Sequence, residues 1–195
     1  AYNLTSDLGD VAAAVAAGGL ERIRKVHVVV GKPIRPMLAE RLGDPAEILN
    51  KLGGRCIAEY KYDGERLQIH KKGKDVEIFS RRLEKITAQY PDVVDLARRH
   101  LKADDAIVEG EVVAVDPETG DLRPFQDLMP RRRKYGIEEA VAQIPTTLFA
   151  FDAIYVDGRD LTQGPYQQRP QALARILKGN ERFRVATYAE AASVD

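Results

Sequence analysis

Short alternating segments closed by Asp-Gly and single-Gly turns restrict this chain more than any other feature in it. In "CIAEYKYDGERLQIHKKG", residues 56–73, two runs, 56–62 and 65–71, flank Asp63-Gly64. Asp-Gly favours two-residue hairpin turns because both central positions need positive φ. The run "KDVEIFSRR" follows the Gly73 turn with Val76 and Ile78 in alternation, so the three runs predict an antiparallel meander. Further strands are predicted in "AIVEGEVVAVD" and in "TTLFAFDAIYVDGRDL", the second ending in another Asp-Gly turn.

Helices separate these strands. Val93, Val94, Leu96, Ala97 and Leu101 recur at helical spacing, and "GIEEAVAQI" and "YQQRPQALARIL" read as helices. "GDPAEILNKLGG" has Asp44 as a cap, Pro45 at the first helical position, Glu47 placed for a capping box, and Gly53-Gly54 as a stop. Runs of strands with helices between them predict an α+β fold with antiparallel sheets rather than a doubly wound parallel one. Residues 1–30 differ in texture: "LGDVAAAVAAGG" is an Ala-rich helix stopped by Gly18 and Gly19, too short to bury a face alone. The prolines of "GKPIRPMLAE" favour extended chain, and a domain border is expected near 31–36, with 1–30 and 31–195 as the two parts.

Composition bounds the partners. Thirty basic and thirty acidic residues give a formal net charge of zero, so any nucleic-acid contact must come from local patches. The clearest patch, "RRRKYG" at 131–136, reads on its own as a solvated loop. Apolar runs such as "VHVVV" are far too short to span a bilayer, and no signal peptide is visible at the N-terminus. Cys56 is the only cysteine, which excludes an internal disulfide and fits a reducing cytoplasm.

Lys61 is the residue that asks for an explanation. Alternation puts Ile57, Glu59 and Lys61 on one strand face, with Arg66, Gln68 and His70 of the returning strand near them. A lysine at a sheet interior loses hydration, and nearby cations also disfavour its charge; both effects free the amine as a nucleophile. The competing reading is a wet hairpin with Glu59–Lys61–Arg66 ion pairs, and the hairpin alone does not decide between them. "FSRR" at 79–82 adds two arginines suited to phosphate. "EGE" at 109–111 puts two carboxylates on one face, with a glycine between them that lets a ligand approach. "FAFD" at 149–152 offers Phe149 and Phe151 for stacking on a base, or for the core. A lysine nucleophile, arginines, carboxylates and an aromatic are together the parts for nucleotidyl transfer.

"EYKYDGER" resembles the nucleotidyl-transfer motif of ATP-dependent DNA ligases, and "FSRRLE", "EGEVVA" and "FAFDAIYVDG" follow in that family's order. "LRPFQDLMPRRRK" is similar to a further segment between them. "KPIRPMLA" resembles the entry to the adenylation domain, and "SDLGDVAAAV" the end of the helical DNA-binding domain. The resemblance covers nearly the whole chain and is nearest to the archaeal and eukaryotic replicative type.

It implies a nucleotidyltransferase domain related to ATP-grasp folds. Lys61 would attack the α-phosphate of ATP and carry AMP. Glu59 would accept from the adenine amino group, and Arg66 and Arg81 would contact ribose, phosphates or the nicked end. Glu111 would bind ribose or organise Mg²⁺ or another divalent cation, and Phe151 would stack on adenine. Asp63 and Gly64 would shape the turn after the nucleophile, with Arg82 and Glu109 as further candidates.

The implied cycle passes AMP to the 5′-phosphate of nicked double-stranded DNA and seals it with the 3′-hydroxyl, in replication, repair and recombination. The implied setting is a monomer, cytoplasmic (nuclear in a eukaryote), with a sliding clamp as partner of the full-length protein. The family's downstream lysine motifs and OB-fold domain are absent from these residues. The expectation is therefore a piece of a ligase two to three times this length that seals nicks poorly by itself. The readings it competes with are an RNA ligase, a capping-type guanylyltransferase, an NAD-dependent ligase whose flanks fit less well, and a non-catalytic DNA- or clamp-binding module.

Overall fold

The computed structural model of the chain describes residues 1–133 and 135–194. Two short N-terminal helices, α1 (Tyr2–Thr5) and α2 (Leu8–Arg24), are followed by an irregular segment and α3 (Pro45–Lys51). Asp7 and Asp44 cap α2 and α3 by accepting from backbone N–H groups of the first turn. The glycine pair interrupts α2 as expected, with Gly19 at φ 58°, but does not stop it: the helix resumes and runs on to Arg24.

Strand β1 (Cys56–Glu59) does not form a hairpin with β2 (Glu65–Lys72). Instead β1 pairs antiparallel with the C-terminal β8 (Tyr188–Ala191) in a separate two-stranded sheet. The expected three-stranded meander is thus corrected: only β2 and β3 (Asp75–Ser80) form a hairpin, through Gly73. The other neighbour of β2 is β4 (Asp105–Ala114), and β4 pairs in turn with β5 (Thr146–Val156). A short β6 (Arg159–Asp160) returns from β5, and β7 (Phe183–Val185) lies parallel to β5. The result is an α+β fold whose main sheet runs β3-β2-β4-β5-β6, antiparallel along that path.

One face of the sheet carries the core. Leu67, Ile69, Val108, Val112, Leu148 and Ala150 meet the apolar stripes of α4 (Pro91–His100) and α7 (Gln168–Ile176), together with Leu128 of α5 (Phe125–Leu128). A further helix, α6 (Ile137–Gln143), leads into β5. The opposite face is mostly polar. Along β4 it runs Ile107, Glu109, Glu111, Val113, so two carboxylates lie between two small apolar clusters. One cluster joins Ile107 and Ile154 to Val28 and Ile34, and the other joins Val113 and Phe149 to Ala186.

The β4–β5 register slips where Glu109 pairs with Asp152 but Gly110 pairs with Ala150, which leaves Phe151 unpaired in a bulge. A bulge re-aims the side chain it releases. Gly110 is required by this pairing rather than by a ligand: a Cβ there would come within 2.8 Å of the Phe149 carbonyl oxygen. Among the described residues no helix is long and apolar enough to cross a membrane.

Candidate active site

Between the two sheets opens a cavity of about 960 Å³. Glu59, Lys61, Arg66, Arg81, Glu111 and Phe151 all line it, so the fold brings these six together from four strands and their connections. Arg82 lines it too, whereas Glu109 does not.

Lys61 lies on the segment that carries the chain from the small sheet to the large one, two residues past the end of β1. The expected burial on a strand is corrected: Lys61 is exposed, and its Nζ donates to the Tyr62 carbonyl at 3.1 Å. The crossing segment is held from both sides. Gly64 packs against the Val112 backbone of β4, and Asp63 Oδ2 accepts from the Phe125 N–H at the start of α5, 3.1 Å away. The Asp63-Gly64 pair is therefore a crossover and not a hairpin turn. The surface ion pairs Glu59–Lys61–Arg66 do not form either; each of the three has another partner.

Arg66 forms a fork with Glu109, whose other contact is Gln68 Nε2 at 2.9 Å, and its guanidinium lies 5.2 Å from the centre of the Phe151 ring. Glu109 is thus occupied in fixing Arg66. Glu111 is left facing the cavity. Burial holds its carboxyl pKa above the usual range, and Lys61, Arg66 and the Gly64 N–H offset that only in part. Glu65, next to the crossing, is buried and accepts from the Tyr90 hydroxyl at 2.6 Å, with Arg132 at 3.4 Å.

The two phenylalanines of β5 part company. Phe149 is covered: the Tyr62 ring stacks on it at 3.9 Å and Arg184 lies 5.0 Å from its centre. Phe151 is half-buried and lines the cavity. The basic run also divides. Arg131 is not solvated but fully buried, bonded to Asp92 and to the Ile144 carbonyl, while Arg132 reaches the cavity; Lys134 lies outside the described residues. Gln68 and His70, expected near Lys61, are buried and pin the segment before Pro36. Gln68 bonds both the N–H and the carbonyl of Ile34, and His70 Nδ1 accepts from Gly31 N–H at 2.8 Å.

Sequence reasoning missed Tyr166 and Arg41. Tyr166 Oη donates to Glu59 Oε1 at 2.8 Å from a loop far along the chain, and nothing local in "TQGPY" marks it. Arg41 lines the cavity from the segment after the two prolines. Among the described residues, six cationic side chains face this cavity against three carboxylates, Glu59, Glu65 and Glu111. Such a balance suits a polyphosphate. Among the described residues no group of three or more His, Cys, Asp or Glu could hold a metal ion alone.

A cavity between a six-stranded and a two-stranded sheet, with an exposed lysine on the crossing segment and arginines around it, has the outline of a nucleotidyltransferase pocket. A match to the ATP-dependent DNA ligase domain runs over residues 36–195, and the chain belongs to that family. It is 56% identical over 188 residues to a DNA ligase of Sulfophobococcus zilligii and 55% identical over 186 residues to one of Hyperthermus butylicus. These alignments cover 96% and 95% of this chain but 31% of each relative, so the chain spans about a third of the length of the curated relatives it matches. Among solved structures, the ligase domain of M. tuberculosis LigD is similar with a TM-score of 0.51 and 26% identity, over 69% of this chain and 39% of that one.

Proposed function

We propose that the cavity binds ATP and that Lys61 takes the AMP group from it in the first step of DNA joining. The observation that carries this reading is the placement of Lys61: an exposed amine in a cation-rich cavity beside Glu111, with Glu59 and Phe151 in the same cavity. In the step, the exposed Lys61 amine loses a proton to water and attacks the α-phosphorus. A P–N bond forms, the P–O bond to the β-phosphate breaks, and pyrophosphate leaves with the electron pair. Positioning and charge neutralisation supply most of the rate in such transfers. Arg66 is pre-oriented for that by its fork with Glu109, and Arg41, Arg81, Arg82 and Arg132 add positive charge around the cavity.

A divalent cation such as Mg²⁺ would neutralise charge on the leaving phosphates. Glu111 is the carboxylate placed to meet it, and the phosphates and water would supply the other ligands. Phe151 would stack on the adenine and Glu59 would accept from its amino group. Residues 1–30 are read as the end of a helical DNA-binding domain and 31–195 as adenylation domain, a division supported by the family match beginning at residue 36. In the whole protein the AMP would pass to the 5′-phosphate of a nick, with nicked duplex DNA as substrate, a monomeric enzyme, and a sliding clamp as partner.

Incubation with α-labelled ATP and a divalent cation, followed by mass spectrometry, tests the first step. An AMP-sized increment on Lys61, lost in Lys61→Ala, is the expected result. No increment, or one on another residue, would overturn the reading, and an adduct with GTP in place of ATP would move the chain to the guanylyltransferases.

A further inference from the structure

We propose that Tyr166 is the residue that makes this cavity choose adenine over a 6-oxopurine, by holding the Glu59 carboxylate, which can only accept, in one place. The proposal rests on the nucleotide reading above and adds to it a determinant of base selection.

Glu59 stands at the end of β1 with an exposed side chain. A glutamate in that position would normally sample several rotamers, and ordering it costs entropy. Here one oxygen is taken: Oε1 accepts from Tyr166 Oη at 2.8 Å. Tyr166 is itself braced. The Arg169 guanidinium lies 4.8 Å from the centre of its ring, and Arg169 Nη1 reaches Asp152 Oδ2 at 3.4 Å. Asp152 is buried on β5, directly after Phe151. Tyr166 therefore ties the edge of the cavity formed by the small sheet to the strand that supplies its aromatic ring. Burial, and then the Glu59 carboxylate, push the Tyr166 pKa up, so the hydroxyl stays protonated and keeps donating.

This geometry decides which base edge is accepted. Glu59 has Oε2 left, which can only accept, and the Tyr166 hydroxyl has spent its one proton. An exocyclic amine gives Oε2 a donor. A 6-oxo group would place a carbonyl lone pair against a carboxylate, and that repulsion disfavours the mismatched analogue. Without the tyrosine hydroxyl, Glu59 could swing away from a 6-oxopurine and the penalty would fall.

Adenosine and inosine triphosphates differ in this respect at the 6-position, and their affinities for the full chain can be measured by calorimetry. The expected result for the unmodified chain is ATP bound about 30-fold more tightly than inosine triphosphate, narrowing to less than about 5-fold in Tyr166→Phe. Glu59→Gln, whose amide can donate as well as accept, should bring the two nearer still. A tyrosine that only held the fold together would lower the melting temperature and weaken both triphosphates in proportion, leaving the ratio as it was; that outcome overturns the proposal. Strong binding of ATP with an unchanged ratio in Tyr166→Phe sinks this inference alone, whereas a chain that binds neither triphosphate sinks the nucleotide reading together with it.

Discussion

Gly64 lies so close to β4 that a Cβ on it would come within 2.2 Å of the Val112 carbonyl oxygen. Its φ is not in the left-handed region, so contact rather than conformation demands glycine here. The contact is made with backbone, which cannot swing aside as a side chain can. Gly64→Ala must therefore push the crossing segment off β4, and Lys61 lies three residues back on that segment. The expected cost is about 1–3 kcal/mol of stability and a loss of about 100-fold in the rate of AMP attachment, since small misplacements of reacting groups cost that much. Gly73→Ala serves as the control. Its φ is 56° and the space beside it is open, so it should lose about 1 kcal/mol and leave attachment unaltered.

Two Asp-Gly pairs show why the sequence was only partly legible. Asp157 and Gly158 have φ of 43° and 88° and make the tight turn between β5 and β6 that the dipeptide predicts. Asp63-Gly64 has the same composition and is a crossover between sheets, because β1 finds its partner in β8, more than a hundred residues away. Local pattern carries turn chemistry but not pairing partners. Helices α4, α6 and α7 and the β2–β3 hairpin are local and were readable. The role of Glu109 was not, since it depends on Gln68 and Arg66 on the neighbouring strand. Arg131 was misread for the same reason: its partner Asp92 is on another helix. The candidate site was legible as residue types in order, and Tyr166 escaped because a single tyrosine in a loop carries no local mark.

Phe149 and Phe151 should separate stability from binding. Phe149 is 4% exposed between Tyr62 and Arg184, and its truncation to alanine should cost about 3–5 kcal/mol. Phe151 is bulged out of register and lines the cavity. Phe151→Ala should weaken ATP about tenfold, the amount expected for one lost base-stacking contact, with a much smaller shift in melting temperature. Calorimetric titration and thermal melts on the two variants check the split; equal effects on both measurements would count against it.

Arg131 and Asp92 form a buried pair, and removing one partner of such a pair is costlier than the pair is favourable. Asp92 also accepts from Thr146 Oγ1 at 3.2 Å and Arg182 Nη2 at 3.2 Å, so Arg131→Ala would not leave it bare. The expected loss is therefore at the low end of the usual range, about 3 kcal/mol, or roughly 10 °C for a chain of this size. Arg132 follows directly in sequence and lines the cavity, so ATP affinity should fall as well. Urea unfolding and ATP titration of the variant measure the two effects.

His70 makes the docking of the segment before Pro36 sensitive to acid. Its Nδ1 accepts from the Gly31 N–H at 2.8 Å, and Nε2 lies 2.9 Å from Gln68 Oε1, so the neutral ring carries its proton on Nε2. Burial lowers its pKa to about 4, with the Glu77 carboxylate opposing the shift. The folded chain therefore binds this proton less readily than the unfolded chain, where the pKa is about 6.5. The stabilisation is complete above the unfolded value and is lost as pH falls from about 6.5 towards 4. Between pH 7.5 and 5 the loss should be about 2 kcal/mol from this group alone. Protonation of Nδ1 would set two donors against each other at Gly31 and release the 31–34 segment that Gln68 and His70 hold to the sheet. Urea unfolding at pH 7.5 and pH 5 should show the drop in the unmodified chain. His70→Gln, starting from a lower stability at pH 7.5, should show a flatter profile over the same interval, and an equally steep one would assign the drop to other groups.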